Sequence, residues 1–122
     1  MESKKILIVD DDADIRIGLN ARLRSSGYRT AFAEDGIGAL AVARKEEPDL
    51  ILLDIGLPGG DGFVVLKRLQ SLTSLSCTPV IVLTARDPES TEKRALEAGA
   101  TAFFQKPADN QALLAKIAEA LG

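Results

Sequence analysis

At 122 residues the chain is long enough for one compact domain with its own core, and 46% apolar with 27% charged residues is ordinary soluble globular make-up, not that of a disordered chain. A formal net charge of −3 gives no sign of nucleic-acid binding, and the single cysteine, Cys77, excludes an internal disulfide or a cysteine-built metal site. Cys77 is expected to be a small buried apolar group.

The opening MESKKILIVD has an apolar run too short for a signal peptide. No later run reaches the roughly 18 apolar residues of a membrane helix, so a cytoplasmic protein is expected. KKILIVD itself reads as a strand buried on both faces. Ile15, Leu19 and Leu23 then recur as a helical stripe, stopped by glycine in SSGY. YRTAFA is a second strand, and GIGALAVARKEEP a second helix that closes before Pro48. DLILLD is the third strand, followed by a helix in DGFVVLKRLQ with Phe63, Leu66 and Leu69 on one side. TPVIVLTA is the fourth strand, and DPESTEKRALEAG the fourth helix, with Pro88 suited to its first turn. ATAFFQ is a short fifth strand, and the last helix is predicted from about Ala108 through Leu113, Leu114, Ile117, Ala118 and Leu121. Five strand–helix units predict a doubly wound (βα)5 parallel sheet filling residues 1–122 as a single domain. In such sheets ligands bind at the carboxyl ends of the strands.

Polar residues collect at those ends. Strand one runs into Asp10, Asp11 and Asp12, strand three into Asp54, strand four into Thr84 and Ala85, and strand five into Lys106 and Pro107. Two carboxylates about 4 Å apart repel by roughly 4 kcal/mol at an effective dielectric near 20, so three aspartates in a row need solvent or a cation. One of them, or Asp14, is expected to cap the first helix; Asp12 and Asp14 are the candidates. Clustered carboxylates without His or Cys select a hard cation, Mg²⁺ foremost and Mn²⁺ as its substitute. Asp54 can then act as the nucleophile that takes a phosphoryl group, with Thr84 donating to one phosphoryl oxygen and Lys106 neutralising another. Taken singly, Asp54 reads as a loop cap, Thr84 as a β-branched strand residue and Lys106 as a solvated cation; their concurrence at one rim favours the chemical reading.

These residues resemble the receiver domain of a two-component response regulator (the CheY-like superfamily), and the resemblance runs over essentially the whole chain. It rests on VDD at Asp10 and Asp11, LLDIGLPGGDGF with Asp54, Pro58, Asp61 and Gly62, VIVLTA with Thr84 and Ala85, and FFQKP with Phe103, Lys106 and Pro107. The spacings between Asp11, Asp54, Thr84 and Lys106 are 43, 30 and 22 residues. The resemblance implies a flavodoxin-like strand order 2-1-3-4-5, Asp54 as phosphoacceptor, and Thr84 and Phe103 as switch residues. It implies that Asp11, Asp54 and the main-chain carbonyl of Gly56 hold Mg²⁺ directly, with Asp10 acting through water. A cis peptide between Lys106 and Pro107 is implied too, where the residues alone would favour trans. The partner would be a sensor histidine kinase or phosphotransfer protein, since a chain without histidine cannot be the histidine donor. A downstream protein or output domain would read the signal through the fourth helix, fifth strand and fifth helix, with Lys93, Arg94, Gln105 and Gln111 as candidate contacts. The module would dephosphorylate itself and turn over no independent substrate. No DNA-binding motif is present, so any transcriptional role would belong to another segment or a partner.

Three features depart from the usual pattern. Gly56 and Gly60 replace larger residues and, with Gly59, make the loop after Asp54 glycine-rich. Arg86, two residues beyond Thr84, puts a cation near the rim; it is either solvated or, with Gly56, sets the lifetime of the phosphorylated form. Phe103 lacks a hydroxyl, so an inward swing gains burial alone. The fourth helix has only Leu96 as a bulky apolar residue, which suits an element that shifts. Three other functions compete with this one. A small-molecule aspartyl-phosphate phosphatase would have a second acid where Gly56 stands. A flavin-binding domain would offer Gly, Ser and Thr to a phosphate where this chain has three aspartates. A silent receiver scaffold would not need the intact quartet.

Overall fold

A computed structural model describes residues 3–57 and 62–122. Strands β1 (Lys5–Val9), β2 (Arg29–Ala33), β3 (Leu50–Leu53), β4 (Val80–Thr84) and β5 (Ala102–Gln105) alternate with helices α1 (Ala13–Ser25), α2 (Gly36–Glu46), α3 (Gly62–Ser71), α4 (Pro88–Glu97) and α5 (Asn110–Leu121). A short 3₁₀ turn, Thr73–Leu75, precedes β4. All pairings are parallel, in the order β2-β1-β3-β4-β5. This is the flavodoxin-like arrangement expected.

The sequence explains why β1, β3 and β4 lie inside. A strand covered on both faces must be apolar at every position, and alternate residues then serve opposite cores. Leu7, Val9, Ile51, Leu53, Val80 and Val82 pack with α2, α3 and α4 residues on one face. Ile6, Ile8, Leu50, Leu52, Ile81 and Leu83 pack with Leu23 of α1 and with Leu113 and Ile117 of α5 on the other. The edge strand β2 is thinner in apolar residues and leaves Phe32 42% exposed.

Among the described residues, four helices start on an aspartate. Asp12, Asp35, Asp87 and Asp109 cap α1, α2, α4 and α5, each side chain accepting from backbone N–H groups of the first turn. Of the two expected candidates, Asp12 caps α1, accepting from Asp14 N and Ile15 N. Asp109 sets the start of α5 at Asn110, two residues beyond the predicted Ala108. Gly27 ends α1 with φ of 91°, the left-handed conformation glycine adopts without a Cβ penalty. Gly62 serves a different need: a Cβ there would sit 2.2 Å from the Ile55 Cα, so only glycine lets α3 approach the end of β3.

One expectation fails. Cys77 is exposed, because the 3₁₀ turn gives the buried position to Leu75 and the chain has turned outward two residues later. The α1 stripe is shallower than its period suggests: Leu23 is buried, whereas Ile15 and Leu19 are half-buried. Helix α1 lies over β1 and the edge strand β2, where only part of its apolar face is covered.

Candidate functional site

The polar rim is built by residues at, or one step past, the strand ends. Asp10 follows β1, Asp54 follows β3, Thr84 closes β4 and Lys106 lies just beyond β5. Ladder hydrogen bonds continue through them: Asp10 N donates to Ala33 O at 3.1 Å, Asp54 N to Val9 O at 3.0 Å and Lys106 N to Thr84 O at 2.8 Å. The side chains are therefore positioned by the sheet, not by free loops.

They meet on one ammonium. Lys106 Nζ donates to Asp10 Oδ2 at 2.6 Å and to Asp54 Oδ2 at 3.0 Å. Asp10 is 2% exposed and Asp54 7%, so two nearly buried carboxylates share one cation. Without it their mutual repulsion and desolvation would stand unopposed. Burial alone would lower the pKa of Lys106, but its hydrogen bonds to Asp10 and Asp54 and their charges outweigh that and raise it above 10.5. The ammonium is thus charged throughout the neutral range. The remaining carboxylate oxygens are occupied from the backbone: Gly56 N donates to Asp54 Oδ1 at 2.8 Å and Asp12 N to Asp10 Oδ1 at 2.9 Å. Among the described residues no buried side-chain nitrogen or oxygen lacks a partner.

Asp11 is exposed and points into the same rim. Oxygens of Asp10, Asp11 and Asp54 all lie within 4.8 Å of one another. Three carboxylates with no nitrogen or sulfur donor fit a hard divalent cation such as Mg²⁺ or Mn²⁺. The donor set therefore agrees with the ion expected.

Thr84 is buried, and its Oγ1 accepts from Arg86 N at 3.4 Å. Register puts Val82 beside Phe103 and Thr84 beside Gln105, so Thr84 and Phe103 occupy the same face of the sheet, two residues apart along it. Phe103 is half-buried against the core of α2, α3 and α4. A Cβ on Gly56 would lie 3.3 Å from Asp54 Oδ1, 3.6 Å from Arg86 Nε and 3.8 Å from Thr84 Oγ1. Arg86 is exposed, and its Nε stands beside the bare backbone of Gly56, on the side of the rim that carries Asp54 and Thr84. The Lys106–Pro107 peptide is cis, as the resemblance implies. Pro58, Gly59, Gly60 and Asp61 lie outside the described residues.

The expected readout residues divide. Lys93, Gln105 and Gln111 are exposed. Arg94 instead stacks on α3, its guanidinium carbon 3.9 Å from the centre of the Phe63 ring. The sequence reading missed Arg16, whose Nη1 donates to the Asp10 carbonyl at 2.7 Å and whose Nη2 lies 3.3 Å from Glu34 Oε1. The available signal was its spacing: Arg16 falls one helical turn after Asp12 and so on the helix face above the acidic turn.

A carboxylate held by a sheet, a fixed ammonium, a hydroxyl and an oxygen-only cation site together can accept and stabilise a phosphoryl group. Comparison with known proteins agrees with that chemistry. The model of the response regulator receiver domain matches residues 6–118. Response regulator PleD of Caulobacter vibrioides is 40% identical over 116 residues, which are 94% of this chain and 25% of PleD, so the chain spans a quarter of that relative. Sporulation initiation phosphotransferase F of Bacillus subtilis is 42% identical over 109 residues, 89% of this chain and 86% of the relative. The receiver domain of a sensor histidine kinase from Pseudomonas aeruginosa PAO1, solved with magnesium coordinated in its active-site cleft, superposes with a TM-score of 0.89 at 30% identity over 98% of both chains. With sequence, sheet order and rim in agreement, the chain belongs to the response regulator receiver domain family, the signalling switches of two-component systems.

Proposed function

We propose that residues 1–122 form one receiver module in which Asp54 accepts a phosphoryl group from a phosphohistidine of a partner kinase or phosphotransfer protein in the cytoplasm. An Asp54 carboxylate oxygen forms a bond to phosphorus as the phosphorus–nitrogen bond breaks, and that electron pair returns to the partner's imidazole. Mg²⁺, or Mn²⁺ in its place, would be held by Asp11, Asp54 and the Gly56 main-chain carbonyl, with Asp10 acting through water, and when bound it supplies positive charge against the phosphoryl oxygens. Lys106 holds Asp54 in line beforehand and offers its ammonium to a phosphoryl oxygen afterwards. The Thr84 hydroxyl donates to another.

A phosphoryl group adds nearly two negative charges and three acceptors. It favours the packing in which Thr84 has moved towards it and Phe103 has turned into the space released, a population shift felt along α4, β5 and α5. A partner protein or output domain reads that surface; no nucleic acid or membrane contacts this segment directly. Attack of water on phosphorus then breaks the bond to Asp54 and releases phosphate, so the module resets itself without turning over another substrate. Arg86 and Gly56 set the lifetime of the phosphorylated form, Arg86 from its place beside Gly56 at the edge of the rim.

The observation that carries this reading is the Lys106 ammonium between Asp10 and Asp54, which joins residues 96 and 52 positions apart. Incubation with a small phosphodonor, followed by intact mass, tests it. A phosphoryl mass gain is expected for the wild type with Mg²⁺, and none for Asp54→Asn or without the metal. A gain indifferent to either condition would overturn the mechanism. The same time course after the donor is removed should show Arg86→Ala losing its phosphoryl group several-fold faster; unchanged decay in both Arg86→Ala and Gly56→Asn would eliminate their part.

A further inference from the structure

Asp10 is held at four points. Its N–H donates to Ala33 O at 3.1 Å, its carbonyl accepts from Arg16 Nη1 at 2.7 Å, Oδ1 accepts from Asp12 N at 2.9 Å and Oδ2 accepts from Lys106 Nζ at 2.6 Å. Asp11, the next residue, is held differently. Among the described residues no hydrogen bond or ion pair engages its exposed carboxylate, yet that carboxylate lies within reach of Asp10 and Asp54. Its direction must come from the backbone.

The Asp10 carbonyl belongs to the peptide that leads into Asp11, and a peptide is planar, so holding its oxygen fixes the plane from which the Asp11 side chain departs. Arg16 provides that hold. Its backbone N–H donates to Asp12 O at 3.1 Å, closing the first turn of α1, while its side chain reaches back to Asp10. One residue therefore braces both ends of the three-aspartate run. The side chain is 16% exposed, whereas its outer partner Glu34 is 74% exposed, so the inner contact to Asp10 is the shielded one. The arginine fork suits this: one nitrogen serves the carbonyl and the other the carboxylate, which a lysine ammonium cannot reproduce in the same geometry.

We propose that Arg16 is a positioning residue for the divalent-cation site: it fixes the Asp10–Asp11 peptide so that Asp11 faces Asp54, and thereby raises affinity for Mg²⁺. This rests on the cation site proposed above. Two effects of Arg16 oppose each other, which makes the sign informative. Its charge alone repels a second cation, so removing it would tighten Mg²⁺ binding; its bracing favours the ion, so removing it would weaken binding. Loss of an outer partner of this kind typically costs about 10- to 100-fold in metal affinity.

Calorimetric titration with Mg²⁺ separates the cases, using the wild type, Arg16→Met, Arg16→Lys, Glu34→Gln and Asp11→Asn, with thermal melts in chelator to confirm folding. Arg16→Met is expected to bind Mg²⁺ about tenfold more weakly. Arg16→Lys should recover part of the loss, and Glu34→Gln should stay within about twofold of wild type, as befits an exposed pair. Phosphorylation of Arg16→Met should approach the wild-type rate at saturating Mg²⁺ while its half-maximal Mg²⁺ concentration rises, a split that general destabilisation would not produce. Equal or tighter Mg²⁺ binding by Arg16→Met overturns the proposal; should that variant fail to fold, Arg16→Lys with wild-type affinity does so equally. A wild type whose Mg²⁺ binding matches that of Asp11→Asn would instead overturn the cation site itself.

Discussion

Helices α3 and α4 have the same length, ten residues each, and opposite attachments. Helix α3 buries Gly62, Phe63, Val65, Leu66 and Leu69, whereas α4 buries only Thr91 and Ala95 and leaves its one bulky aliphatic residue, Leu96, 44% exposed. Locally, α4 is well specified. It has Asp87 accepting from Glu89 N, Pro88 in the first turn, the Thr91 hydroxyl donating to Asp87 O and Gly99 beyond its end at φ of 108°. The pair thus separates two things that usually coincide. Caps and propensity decide that a helix forms, while buried apolar area decides how firmly it stays, at about 1.5–3 kcal/mol per large side chain. Among the described residues, contacts outside the apolar core that tie α4 and its end to α3 include Arg94 over the Phe63 ring and Gln70 Nε2 donating to Gly99 O at 3.3 Å. A well-formed, lightly docked helix directly after Thr84 agrees with the moving surface proposed above.

The contrast can be broken most severely at α3. Leu66→Ala should lower the unfolding free energy by about 2–5 kcal/mol in urea titration, since its buried side chain leaves a cavity beside the sheet. A loss below about 1 kcal/mol would show α3 to be no better anchored than α4. A smaller effect is expected at the seam. Arg94→Met keeps the aliphatic stem but removes the cation over Phe63, so about 0.5–1 kcal/mol should be lost. Amide exchange should show that loss in α4, with α3 unchanged; uniform acceleration of both helices would mean that they move as one body. The smallest change sharpens the comparison from the other side. Leu96→Ser should stay within about 0.5 kcal/mol of wild type, and a larger destabilisation would reveal packing that its exposure does not suggest.

Much of this could be read from the residues. VIVLT and LILL are apolar at every position, and only a strand covered on both faces tolerates that, so the parallel sheet and its helical layers followed. The abrupt change to Asp54 and to Asp10 marked the strand ends where a site must lie. Depth was less legible. Ile15, Leu19 and Leu23 share one helical period, but period names a face and not what covers it, and only Leu23 is buried. Cys77 misled because a small sulfur residue is usually buried, whereas the turn after Leu75 exposes it. Arg16 was missed because its chief partner is a backbone carbonyl, which no side-chain pattern advertises.

The chain by itself determined the order and kind of the elements, an aspartate cap on α1 and the chemical types at the strand ends, because these follow from local conformational preference and from which positions avoid water. Tertiary structure alone decided that Lys106 reaches Asp10 and Asp54 together, that Arg86 stands beside Gly56 and that Arg16 braces the acidic turn. Those contacts depend on strand order, register and rotamer, through which residues remote in sequence come within a hydrogen bond of each other.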